Sequence, residues 1–174
     1  MYPKSFHHVA YRCKDSRETV EFYEKALGLP YAFAVAEDRN PTTGEVEPFM
    51  HIFFALPDGS HLAFFELPTA PEMGRDQNTP PWVQHLAMDV DSEEALWEAK
   101  AHLEGMGIEV VGPTDHKICK SIYFFDPNGH RLELAWRTMT PEMERRLREA
   151  SAPMLQEWDR TRRAPSHAAD ALGG

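Results

Sequence analysis

Two histidines, His7 and His8, stand side by side in the stretch FHHVAYRC, and His85 precedes LAM much as His8 precedes VAY. Glu133 stands between Leu132 and Leu134 in HRLELAW. A carboxylate in so apolar a strand is costly to bury unless it is paired, protonated or bound to a metal. Side chains along a strand alternate between faces, so His7 and His8 are expected to point opposite ways. Two imidazoles and one carboxylate suit iron, manganese, nickel or zinc, with coordination positions left open for catalysis.

The elements around these residues say which histidine matters. FHHVAYRC (6–13) reads as a strand and DSRETVEFYEKALGL (15–29) as a helix, with Asp15 and Glu18 at capping-box spacing and Gly28 as its stop. Val20, Tyr23 and Leu27 form its expected apolar stripe. YAFAVAE (31–37) reads as a strand, and residues 45–67 as two strands around Pro57-Asp58-Gly59. Residues 68–81 hold four prolines and read as a linker. The order then repeats. Residues 82–90 read as a strand, 91–107 as a helix capped by Asp91 with Glu94, and 108–112 as a strand. Residues 119–136 read as a hairpin around Asn128-Gly129. The chain therefore holds two diverged copies of one β-α-β-β-β module, residues 1–67 and 82–137, and His8 and His85 occupy matching places 77 residues apart. His8→Ala is expected to lose metal and His7→Ala to keep it. From Thr140 and Pro141 a tail (138–174) reads as an amphipathic helix through Met143, Leu147, Met154, Leu155 and Trp158, interrupted near Pro153 and frayed from Arg163.

Composition narrows the class. The 174 residues carry a net charge of −10, which disfavours nucleic acid and anionic membranes as partners. Two cysteines, Cys13 and Cys119, do not form a CxxC pair, and a reducing cytoplasm is expected. No secretory segment or membrane-spanning apolar run is visible. Neither cysteine has a histidine–acid arrangement around it, so both are expected to be structural.

HHVAYRCKDSRETVEFYEKALGL, QHLAMDV and SIYFFDPNGHRLEL together resemble the vicinal oxygen chelate superfamily of glyoxalase I, extradiol dioxygenases, epimerases and antibiotic-resistance proteins, over roughly residues 5–137. The resemblance implies an α+β fold: tandem βαβββ modules forming a cupped mixed sheet around a divalent metal, here followed by a helical tail. It places His8, His85 and Glu133 on metal-ligand positions, and it implies a small-molecule substrate and a homodimer. In lyases and epimerases of the family a fourth ligand comes from the last strand of the first module, where FFELP offers Glu66. The turn register instead selects Ala63, four residues after Gly59 as Glu133 is four after Gly129. Positions 63 and 66 have opposite parity, so the strand needs a bulge to turn Glu66 inward.

With Glu66 inward, a four-ligand site suits glyoxalase or epimerase chemistry on an enediolate. With Ala63 inward, two histidines and one carboxylate form the open face of iron(II) oxygenases. Tyr123 stands where an extradiol dioxygenase has a tyrosine bonded to metal-bound substrate or oxygen. The second-sphere histidine of those enzymes aligns with Ser60, one residue before His61. His51 and His116 are further rim candidates, and Phe33, Phe53, Phe64 and Phe125 are candidate walls for an aromatic ring. Arg12, Arg39, Lys117 and Lys120 could anchor a glutathione substrate. The balance of Tyr123 and the turn register favours a ring-cleaving dioxygenase with iron(II), ahead of a lyase or isomerase with manganese, nickel or zinc. A metal-free drug-binding protein is the third reading.

Overall fold

The computed structural model describes residues 2–165, so most of the expected frayed end lies outside the described residues. The fold is α+β. Its elements are β1 (His8–Cys13), α1 (Ser16–Leu27), β2 (Tyr31–Arg39), β3 (Val46–Ala55), β4 (His61–Glu66), β5 (Leu86–Val90), α2 (Glu93–Gly105), β6 (Val111–Asp115), β7 (Cys119–Phe125), β8 (Arg131–Arg137) and α3 (Pro141–Thr161). Two four-stranded sheets have the orders β1-β4-β3-β2 and β5-β8-β7-β6, the same path taken twice. By contacts the chain divides into residues 1–86 with 125–132, and residues 87–124 with 133–174. No helix among the described residues is long and apolar enough to cross a membrane.

In the first sheet β1 runs parallel to β4, while β3 is antiparallel to both β4 and β2. Helix α1 starts as its sequence requires. Asp15 Oδ1 accepts from Glu18 N (2.8 Å), and Gly28, at φ 64, closes the last turn. The side it buries is Thr19, Tyr23 and Ala26 rather than the Val20–Tyr23–Leu27 stripe. Tyr23 sets this rotation: its ring lies 5.1 Å from that of Phe54 and 4.9 Å from that of Phe64, all fully buried. Side chains of this size each contribute roughly 1.5–3 kcal/mol when removed from water.

The segment Phe125–Leu132 belongs to the same unit because its turn is bonded into α1 and β1. Asn128 Oδ1 accepts from Lys14 N (2.8 Å), its Nδ2 donates to Thr19 Oγ1 (3.1 Å), and Tyr23 Oη donates to Asp126 (3.1 Å).

In the other unit α2 is capped by Ser92, whose hydroxyl accepts from Ala95 N, so the cap falls one residue after Asp91. Leu96 and Leu103, seven apart on one helical side, are fully buried. The strand expected at 108–112 begins only at Val111, because Ile108 N still bonds Leu103 O at the helix end. Helix α3 starts at Thr140 and Pro141 as expected but runs unbroken through Pro153. None of its residues is buried, and Leu155 and Trp158 stay exposed.

Candidate functional site

His8 opens β1, exposed, with His61 as its register partner in β4. Because α1 covers the sheet face bearing Phe54 and Phe64, alternation puts His8, His51, Phe53, His61, Ala63 and Phe65 on the opposite face. Ring contacts follow that assignment. His8 lies 5.9 Å from His51 and 5.6 Å from Phe53, His51 stacks on Phe65 at 3.5 Å, and Phe53 lies 6.1 Å from His61. Position 61, rather than 60, thus brings a histidine onto the His8 face.

His7 does not point away. It precedes the strand, its carbonyl accepts from His61 N (3.1 Å), and its ring stands edge-on to His8 with Nδ1 2.7 Å from His8 Nδ1. Alternation fails here because residue 7 is not yet in the ladder. The contact engages His8 Nδ1 and leaves Nε2 as the nitrogen able to bind a metal.

Burial, with the neighbouring His8 ring adding to it, holds His51 down to about 4, so it is neutral near pH 7. Its Nε2 is buried without a hydrogen-bond partner.

Glu66 lies on the α1 face, paired in register with Cys13 and Met50. Its Oε2 accepts from Ser16 N at 2.7 Å, satisfying an orphan donor at the start of α1. Ala63 occupies the His8 face, and no bulge interrupts β4 on either side.

In the second sheet Lys120 reaches Glu93 of α2 (2.6 Å) and the Trp136 ring (5.5 Å). Lys120 and Trp136 therefore share the face toward α2, and alternation puts Ile122, Phe124 and Leu134 on that face. Alternation turns Tyr123 and Glu133 to the other face, as in the first sheet. Glu133 is buried, 5% exposed. Tyr123 Oη lies 2.7 Å from His116 Nε2, a contact the spacing of the two residues did not reveal.

His85 immediately precedes β5, and its Nδ1 donates to Val83 O (3.1 Å), which makes Nε2 the acceptor nitrogen. His85 also lines a cleft of about 630 Å³ with Tyr11, Lys14, Arg75, Phe125 and His130. The linker contributes to this wall, a role its proline-rich composition did not suggest. Among the described residues no three His, Cys, Asp or Glu side chains form a group able to hold a metal ion. The donor chemistry of His8, His85 and Glu133 suits a divalent ion: two imidazoles, each with Nδ1 hydrogen-bonded, and a buried carboxylate.

Of the two thiols, Cys13 is buried, and burial pushes it above its ordinary range, which keeps it protonated and unreactive. Cys119 is partly buried and also a free thiol.

Residues 5–134 match the Glyoxalase/Bleomycin resistance protein/Dioxygenase superfamily. The chain belongs to it. The match runs from the start of the first module to residue 134 in the last strand of the second. Within the curated proteins the chain is similar to "Putative ring-cleaving dioxygenase MhqA" of Bacillus subtilis (strain 168), 26% identical over 131 residues. That alignment covers 74% of this chain and 39% of the relative, so the chain spans about two-fifths of that protein's length. Among solved structures, the glyoxalase family protein from Enterococcus faecalis is 27% identical with a TM-score of 0.56, covering 78% of this chain and 99% of that one. The fosfomycin resistance protein FosX from Listeria monocytogenes, solved with Mn(II), shares the fold at 21% identity and a TM-score of 0.56, over 82% and 98% of the two chains.

Proposed function

We propose that this superfamily member is a divalent-metal enzyme that cleaves the ring of a catechol-like substrate, with His8, His85 and Glu133 as metal ligands and iron(II) as the preferred metal. The observation that carries the reading is the orientation of Glu66. A lyase or epimerase of the four-ligand kind needs a carboxylate on the His8 face, and that face offers Ala63 while Glu66 bonds the start of α1. The likeness to a protein described as ring-cleaving supports the same side.

Bound there, the metal would supply Lewis acidity and electron transfer to a substrate chelating it through two adjacent oxygens. The protein's part is positional. Phe33, Phe53 and Phe65 give an aromatic lining: Phe33 stacks on Phe53 at 4.5 Å, and His61 edges onto both rings. Tyr123, held by His116, offers a hydroxyl on the face that carries Glu133. His51 and His61 stand beside His8 as groups able to hold or pass a proton.

We further propose that the active form is a homodimer. Helix α3 leaves Leu155 and Trp158 uncovered, an apolar pair that a second copy of the chain would bury. Mn, Ni or Zn as resident metal would favour the glyoxalase- or epimerase-type alternative. The test is anaerobic loading with iron(II), addition of a catechol panel, then air. A yellow ring-fission product is expected, and its absence across the panel with metal bound would overturn the ring-cleaving assignment.

A further inference from the structure

Within the unit of residues 1–86 and 125–132, the cleft of about 630 Å³ lies among β1, residues 73–81 and the β7–β8 turn. Its walls carry the permanent cations Lys14, Arg75 and Arg131 and the carboxylates Asp76 and Asp126. Both carboxylates are already occupied. Asp126 accepts from Tyr23 Oη (3.1 Å), Asn128 Nδ2 (3.0 Å) and His130 N (2.7 Å), and Asp76 accepts from Asn78 N (2.9 Å) and the Thr79 hydroxyl.

The cations are placed differently. Lys14 Nζ donates to Pro127 O (3.0 Å) and Arg75 Nη2 to Gly129 O (3.1 Å), both neutral carbonyls. The Arg75 guanidinium also lies 4.9 Å above the Phe125 ring. Gly129 permits this approach, since a Cβ there would come within 2.9 Å of Arg75 Nη2, and its φ of +89° is strained for any other residue. The turn thus brings two cations to one cleft without supplying a carboxylate to pair with Arg75 or Lys14. Their positive charge faces the cleft against a chain whose net charge is −10, so any attraction for an anion there is local to Lys14 and Arg75. Burial holds the Tyr11 phenol above its ordinary range, so it remains a hydrogen-bond donor at the same wall.

We propose that this cleft binds a carboxylate borne on a planar ring, with Lys14 and Arg75 holding the acid group and Tyr11 and Phe125 walling the ring. This site goes beyond the function above, since Tyr11 shares the α1 face of the first sheet with Phe64 and His8 takes the other face. Its test uses the full chain stripped of metal with EDTA. Benzoate and neutral benzamide are titrated by calorimetry and by amide NMR. Benzoate is expected to bind and to shift the amides of Lys14, Arg75 and Gly129, and benzamide is not. Arg75→Gln should weaken benzoate about tenfold, the worth of one charge-assisted hydrogen bond, whereas Asp76→Asn should tighten it several-fold. No benzoate binding, equal binding of the two probes, or an unchanged affinity in Arg75→Gln would overturn the proposal. Benzoate binding as expected alongside inactivity towards every catechol would sink the dioxygenase reading and leave this one standing.

Discussion

Replacing Glu66 separates its two possible roles. Its carboxylate accepts from Ser16 N at 2.7 Å, in the first turn of α1. A hydrogen bond to a charged acceptor is worth about 1.5–3 kcal/mol, and a negative charge at a helix start about 0.3–1 kcal/mol. The site is only partly buried, so water recovers some of that loss. Glu66→Ala is therefore expected to cost about 1–2 kcal/mol, a fall in Tm of about 2–8 °C for a chain of this size. Glu66→Gln, which keeps an acceptor but not the charge, should lose about half as much. Metal affinity should stay within about twofold of wild type in both, since Glu66 is on the face away from His8. Urea and thermal unfolding followed by circular dichroism measure the first quantity, and competition with a chromophoric chelator the second. Unchanged stability with a tenfold or greater loss of metal affinity would refute the reasoning and restore a four-ligand site.

Other consequences can be measured separately. Asn128→Ala removes the acceptor of Lys14 N and the donor to Thr19 Oγ1 and Asp126, and should cost about 2–4 kcal/mol in urea unfolding. His51 titrates near 4 in the folded chain against 6.5 when unfolded, so the unfolded chain binds the extra proton first. Stability should accordingly fall as pH drops from about 6.5 towards 4, and His51→Phe should flatten that slope. Deleting residues from Pro141 onward removes the exposed Leu155 and Trp158 and should shift the mass seen by light scattering towards monomer, with both sheets retained by circular dichroism.

Much of the architecture follows from local patterns. The repeated module is legible in the sequence, and the two sheets take the same strand order; Asp15 with Gly28 brackets α1 within a residue. The Gly59 turn register puts Ala63 opposite in parity to Glu66, and the pairing of Ala10 with Ala63 and Cys13 with Glu66 has that parity. What local pattern could not supply is what the third dimension adds. His7 touches His8 because the ladder starts two residues later than FHHVAYRC suggests. Ser92 takes the cap from Asp91 since its hydroxyl, not that carboxylate, meets Ala95 N. Pro153 sits inside α3 on a helix stitched by pairs such as Arg145 with Glu142 and Glu149. The cleft around Arg75 joins a linker to a turn 54 residues away, and no sequence spacing announces that contact.

The ligand assignment is tested most directly by iron(II) affinity in wild type and in His8→Ala, His85→Ala, Glu133→Ala and His7→Ala. Wild type should bind the metal stoichiometrically and the first three variants should lose it. His7→Ala should retain the site with affinity lowered about tenfold, because it orients His8 without ligating. Wild-type affinity in His8→Ala or Glu133→Ala would contradict the account.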